Sequence, residues 1–373
     1  MGRYLLKREK REVLKPREAA VISVLAILFA LALFSVIFLL AGVNPLTAYR
    51  EIFSYAFFNP FGLPLTINRF VFLLFATYAF LTPYHAGLWN IGMSGQLYLG
   101  ALAAFGVLHV LDKMDVGNAS VFVVLLLMLG AAVLGGAVMG AIAGFLRGKY
   151  NVNEIVVTMM MNFMAFWLVS FMIKEGGPFM NPGGRGESFE LPDAFRAPLI
   201  GGIPFTIIIA LILGLLLHFM FNYTRLGYEI RAYGANPAAA EYAGISKVRI
   251  PVLVFVIGGM LAGLAGYHYF GAVPGVYKIA RNYGFFGDLA FYGIICGLIS
   301  QGNHLALMPV AMLFGGLSIG GRFVQGKLGM SFGVDYALLG ILMITLVGFQ
   351  FFYRYQFRLL NTGKETIDVG ILS

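Results

Sequence analysis

Charge is scarce in this chain. Only 12% of its 373 residues are Asp, Glu, Lys or Arg, about half the share of an ordinary soluble domain. With 60% hydrophobic residues and a mean hydropathy of +0.84, a soluble globule would expose apolar surface it could not hide. Cysteine is nearly absent. Cys296 stands alone inside an apolar run, which excludes an intrachain disulfide and a cysteine-based metal site; it reads as a small buried hydrophobe. A glycine-rich phosphate loop ending in Gly-Lys-Ser/Thr is also missing, which excludes a nucleotide site of that kind in the chain. His85, His109, His268 and His304 are scattered, without a metal pair such as H-E-x-x-H, and each reads as a polar spot at an interface. The longest polar stretches, residues 174–198 and 223–249, are too short to bury a catalytic core.

What is present is a series of long uncharged runs, the mark of membrane-spanning helices. Single-length runs cover residues 19–42, 119–146, 155–173, 203–222, 250–270 and 336–353. Two double-length runs are interrupted by polar and helix-breaking residues. Residues 70–111 are broken over 82–96, where Pro83, Gly87, Asn90, Gly92, Ser94, Gly95 and Gln96 cluster, and residues 289–321 are broken at Gln301-Gly302-Asn303. Counting each double run as a pair predicts an all-α, polytopic bundle of about ten crossings, both termini on one side. The first run exceeds the roughly 7–15 residues of a cleavable signal core and reads as a retained helix.

The net charge of +9 is placed for a membrane rather than a nucleic acid. Arg3, Lys7, Arg8, Lys10, Arg11, Lys15 and Arg17 crowd the N-terminus, and the remaining basic residues flank apolar runs. On the ten-span reading 16 Lys and Arg face the side of the termini and 10 the other, which puts the termini in the cytoplasm. The expected organisation is a basic N-terminus (1–18), a transmembrane domain (19–353) with a polar cytoplasmic segment at 225–249, and a C-terminal tail (354–373).

Three segments carry chemistry. In residues 223–249, Asn236 is a natural N-cap, Pro237 suits the first helical position, Ala238 to Glu241 propagate a helix, and Gly244 stops it. A helix of about two turns is unstable alone in water, so it should dock on a partner. In residues 87–102, four glycines with Asn90, Ser94 and Gln96 predict a helix broken at membrane depth, which must be satisfied by protein or a wet cavity; the alternative for the same glycines is a close helix–helix contact. In residues 151–162, Glu154 suits a helix start, and Asn162 lies deeper in the apolar run as an interhelical bond or a substrate contact.

RAYGANPAAAEYAGI (231–245) resembles the coupling segment of ABC importer permeases of the branched-chain amino acid and simple-sugar class. NIGMSGQLYLGA (90–101) and NEIVVTMMMN (153–162) are similar to the nucleoside and simple-sugar branch, and the likeness runs from about residue 63 to 352. The resemblance implies a translocating permease of two pseudo-symmetric halves, without enzymatic activity. Its partners would be an ABC ATPase subunit carrying ATP and Mg, a second and distinct permease, and an extracytoplasmic binding protein in the plasma membrane system. Arg231, Gly234, Asn236, Pro237, Ala240, Glu241 and Gly244 would couple to the ATPase, and Asn90, Ser94, Gln96 and Asn162 would meet substrate, with Trp89 as a stacking surface. No cofactor or metal is expected in the chain itself.

Two other readings remain open. A branched-chain amino acid permease would need carboxylate donors and an apolar pocket, whereas amides both donate and accept and so suit hydroxyls and base edges. An ion-coupled carrier would need intramembrane carboxylates, and only Asp288 and Asp335, near span ends, offer them.

Overall fold

The computed structural model describes residues 4–10, 16–114, 120–183, 186–280, 283–330 and 333–361. Arg3, Arg11, Lys15 and most of the C-terminal tail, and the side chain of Asp288, lie outside the described residues.

The described residues form an all-α membrane bundle. The helices are α1 (Pro16–Leu40), α2 (Pro45–Phe53), α3 (Gly62–Tyr84), α4 (Met93–Lys113), α5 (Val121–Tyr150), α6 (Glu154–Ile173) and α7 (Thr206–Tyr223). They continue with α8 (Arg225–Ala235), α9 (Pro237–Tyr242), α10 (Arg249–Tyr267), α11 (Tyr283–Ile299), α12 (Leu307–Lys327) and α13 (Val334–Arg354). Among the described residues nine helices are long and apolar enough to cross a membrane, and α11 contributes a shorter apolar helix. Each expected run has become a helix or a pair of helices; α2, a short helix after the first span, was not expected.

Two compact units make up the chain, residues 1–50 with 324–373 and residues 51–323. In the first, α1 packs on α13, where the rings of Phe29 and Phe349 lie 5.7 Å apart. Strand β1 (Tyr4–Lys10) pairs antiparallel with β4 (Tyr355–Asn361), Tyr4 opposite Asn361 and Lys10 opposite Tyr355. This ribbon sits where α1 begins and α13 ends.

In the second unit α3 is almost wholly buried, in contact with α4, α7, α10 and α11. Helices α5, α6 and α7 turn large apolar residues such as Leu126, Phe163 and Leu215 outward, as a lipid-facing surface requires. Helices α5 and α10 meet through glycines. A Cβ on Gly136 would meet the carbonyl of Gly259, one on Gly140 that of Phe255, and one on Gly263 that of Ala132. Close backbone approach of this kind supplies the packing that the hydrophobic effect cannot provide between helices in lipid.

The polar stretch before α7 is folded rather than a plain loop. Ser188 N–H donates to the Ile279 carbonyl at 2.9 Å and Leu191 N–H to that of Tyr277 at 2.8 Å. Lys278 pairs with Glu187 at 2.7 Å, and Arg196 reaches Glu190 at 2.8 Å while its guanidinium lies 4.3 Å from the centre of the Tyr277 ring. A hairpin of β2 (Leu199–Ile200) and β3 (Ile203–Pro204) turns on Gly201 and Gly202, whose φ values of +59° and +82° suit the tight turn that glycine best allows.

Candidate functional site

The segment expected to couple, residues 225–249, holds two helices, α8 and α9, rather than one. Thr224 caps α8 by accepting from Gly227 N–H at 3.2 Å while its hydroxyl donates to the Met220 carbonyl at 2.6 Å, so the chain turns sharply out of α7. Gly227, Ile230 and Tyr233 form the buried face of α8. Asn236 then caps α9, its Oδ1 accepting from Ala238 and Ala239 N–H at 3.1 Å each, with Pro237 in the first turn. Gly244, at φ +84°, ends the segment, and Ile245 N–H returns to the Ala240 carbonyl at 2.9 Å. Local chemistry thus built α9 as the sequence specified. The amphipathic α8 carries a weaker local signal and was missed.

The seven expected coupling residues divide by direction. Arg231, Asn236, Pro237, Glu241 and Gly244 are exposed, whereas Ala240 is buried and Gly234 faces inward. A Cβ on Gly234 would meet the His85 carbonyl and lie 2.9 Å from Ala86 C and 3.0 Å from Gly87 N. Tyr242, at 97% exposure the most exposed large apolar residue of this segment, escaped sequence reasoning. An aromatic fully in water at a helix end is the signal that could have found it. Lys247 pairs with Glu241 at 2.9 Å, and this partner raises its amine above the ordinary lysine value.

The break between α3 and α4 differs from expectation. It occupies residues 85–92 and follows a helix of full spanning length, so it lies at the end of a span against α8 rather than at mid-depth. Gly95 and Gly100 lie inside α4, where they make room for Asn162 and for the backbone of Gly263. They are contact points, because their neighbours leave no space for a side chain.

The expected substrate residues gather around this turn. Asn90 is fully buried; its Nδ2 donates to Gln96 Oε1 at 2.9 Å and to the Ala79 carbonyl at 3.3 Å. Its Oδ1 accepts from Gln96 Nε2 and Gly92 N–H, each at 3.2 Å. Asn162 Oδ1 accepts from Gly95 N–H at 2.8 Å and its Nδ2 donates to the Ile91 carbonyl at 2.9 Å. Ser94 is buried on the first turn of α4. Trp89 is half-buried, edge-on to the rings of Phe80 and Tyr84 at 5.5 and 6.1 Å. Glu154 sits in the first turn of α6, 3.4 Å from Arg147 and 3.5 Å from Trp89 N–H, while Asn153 provides the cap.

Two of the four histidines, His268 and His304, are buried rather than polar spots at an interface, whereas His85 and His109 are half-buried. His268 joins Thr206 Oγ1 through Nδ1 at 2.7 Å and the Asn68 carbonyl through Nε2 at 2.9 Å. His85, just past α3, stacks on Phe221 at 4.1 Å and on His304, in the link from α11 to α12, at 5.3 Å. Among the described residues no group of three or more His, Cys, Asp or Glu could hold a metal.

Burial pushes His304 down to about 3, with the neighbouring His85 and His218 adding to the effect, and burial likewise lowers His85. Both are therefore neutral in the folded chain, while the unfolded chain takes up protons near pH 6.5. Their contribution is complete above about pH 6.5 and declines as pH falls towards the folded values, at about 1.4 kcal/mol per pH unit for a histidine in that window. Thermal melts in detergent are expected to show a lower midpoint at pH 5.5 than at 7.5. His304→Asn should flatten that slope; an unchanged slope would remove His304 from its cause.

Among the described residues, nine helices long and apolar enough to cross a membrane, with a pair of shorter helices between α7 and α10, define the class of polytopic membrane proteins. Residues 81–347 match the family described as branched-chain amino acid transport system / permease component, and the chain belongs to that family. It is 31% identical over 353 residues to the glucose ABC transporter permease protein TsgB13 of Haloferax volcanii, covering 89% of this chain and 88% of that protein. It is also 29% identical to the nucleoside ABC transporter permease protein NupB of Lactococcus lactis, over 84% of this chain and 85% of that one. The guanosine ABC transporter permease protein NupP of Bacillus subtilis is 29% identical, over 80% and 84%.

Proposed function

We propose that this chain is the translocating subunit of an ATP-driven importer of nucleosides or simple sugars. The observation that carries the reading is α9, an exposed two-turn helix held outward by the Asn236 cap and backed by α8. A helix this short is ordered for presentation to another surface, and the names of the nucleoside and glucose ABC transporter permeases support an ATPase as that partner. The chain has no catalysis of its own; ATP and Mg belong to the partner ATPase, and a binding protein and a second, distinct permease complete the system. The membrane is the plasma membrane, the domain is 19–353, and both termini are cytoplasmic, in keeping with the charge bias and the β1–β4 ribbon. Branched-chain amino acids are the second reading, favoured by the family description.

ATPase activity in lipid nanodiscs tests this, with the chain co-assembled with its candidate ATPase and second permease. Nucleosides, sugars and branched-chain amino acids are offered on the cognate binding protein. Stimulation at least several-fold by nucleosides or sugars is expected. Stimulation by leucine alone would select the second reading, and failure to retain any ATPase would overturn both.

A further inference from the structure

We infer that residues 85–92 form the element that transmits motion from the coupling helices into the bundle, and that Asn162 and Glu154 are positioning residues holding it rather than contacts to the transported molecule. The inference rests on the coupling role proposed for α8 and α9. Three independent fastenings on one short turn carry it.

The first fastening is backbone on backbone. Gly234 of α8 has no room for a Cβ against His85, Ala86 and Gly87, and a Cβ on Gly87 would lie 3.3 Å from the Gly234 carbonyl oxygen. Gly87 also holds φ at +70°, where a side chain would strain the turn. With no side chain between the two segments, rotamer changes cannot absorb a shift of α8. Close-packed elements move together or separate.

The second fastening joins the turn to α6. Gly92 stands at the start of α4 and offers no side-chain cap, so the first amides of that helix need acceptors from elsewhere. Asn162 supplies one from the neighbouring helix, at Gly95 N–H, and with its other amide atom holds the Ile91 carbonyl. Gly92 seats against Thr158, where a Cβ would come within 2.9 Å of Thr158 Cβ. One amide therefore ties the end of the turn and the start of α4 to α6. The third fastening is Glu154, which stands 3.4 Å from Arg147 of α5 and 3.5 Å from Trp89 N–H in the middle of the turn.

The amides that sequence chemistry offers to a substrate are spent on this frame. Asn90 bonds to Gln96, Gly92 and Ala79, and Asn162 to Gly95 and Ile91. Removing Asn162 should then loosen the link between ATP use and transport without changing recognition.

The test uses the assembled importer in nanodiscs, with two readouts: substrate concentration at half-maximal transport, and ATP hydrolysed per molecule transported. Wild type comes first; if it retains no ATPase, the proposed function fails before the relay is tried. With wild type active, Asn162→Leu is expected to raise the ATP cost per molecule at least tenfold while the half-maximal concentration changes less than twofold. Glu154→Gln, which keeps an acceptor for Trp89 but drops the charge opposite Arg147, is expected to raise it about threefold. A tenfold rise in half-maximal concentration at an unchanged ATP ratio would make Asn162 a substrate contact and overturn the inference, leaving the coupling role intact. If Asn162→Leu fails to assemble, Asn162→Asp, which keeps the Gly95 bond and loses the Ile91 bond, and Glu154→Gln decide. An unchanged ratio in both overturns the relay.

Discussion

A single methyl group on Gly136 is expected to remove most of the folded permease, while the same change at Gly130 on the same helix leaves it intact. A Cβ on Gly136 would run into the Gly259 carbonyl and lie 2.9 Å from Gly263 N, whereas one on Gly130 meets nothing within 4 Å. The atoms in the way at Gly136 are backbone, so no rotamer relieves the clash and α5 must separate from α10. Overpacking usually costs about 1–3 kcal/mol where side chains can give way; here the loss spreads along the helix pair, because Gly140, Gly144 and Gly263 make the same approach. Against a total stability of about 5–15 kcal/mol, Gly136→Ala should lower the melting temperature sharply and Gly136→Val should yield no monodisperse protein in size-exclusion chromatography. Gly130→Ala should match wild type or exceed it slightly, since alanine is the better helix former by up to about 1 kcal/mol. Equal behaviour of the two alanine variants would show that α5 and α10 do not meet as described.

The second large effect concerns Tyr242. At 97% exposure it contributes nothing to the packing of the chain, so Tyr242→Ala should leave the melting temperature within about a degree of wild type. At a docked interface a central tyrosine is commonly worth 2 kcal/mol or more, so the same variant should weaken retention of the ATPase subunit about thirtyfold, read by pull-down or interferometry. Gly234→Leu should do the reverse, lowering stability first, because the glycine faces the turn at 85–87. Glu241→Gln loses an exposed pair with Lys247, of the kind worth at most about 1 kcal/mol, and should change stability little. Wild-type retention of the ATPase by Tyr242→Ala would move the docking surface away from the tip of α9.

How much of this was legible depended on whether the deciding interaction was local. The spans follow from uncharged runs, and α9 follows from Asn236, Pro237 and Gly244, because caps act within a few residues. For Gly95 and Gly100 the sequence allowed both a helix break and a helix–helix contact, since a glycine that kinks a helix and one that admits a neighbour look alike until Asn162 and Gly263 are in place. The amides showed their chemistry but not their partners; Asn162 reaches Gly95 and Ile91 across about seventy residues of sequence, a distance that local principles do not span. Tyr233 and Ile230 mark the buried face of α8 only once a surface exists to cover it. The stretch before α7 acquires its form from bonds to Tyr277 and Ile279, far along the chain.

The β1–β4 ribbon has a consequence for biosynthesis. Its first strand, Tyr4–Lys10, is synthesised before every described helix, and its partner, Tyr355–Asn361, emerges only after them all. Until then the early strand has an open edge of seven residues, the kind of edge that recruits other chains. Closing it needs the last helix to be inserted in the right direction, so a stalled or wrongly threaded chain leaves the strand bare for quality-control proteases and chaperones to find.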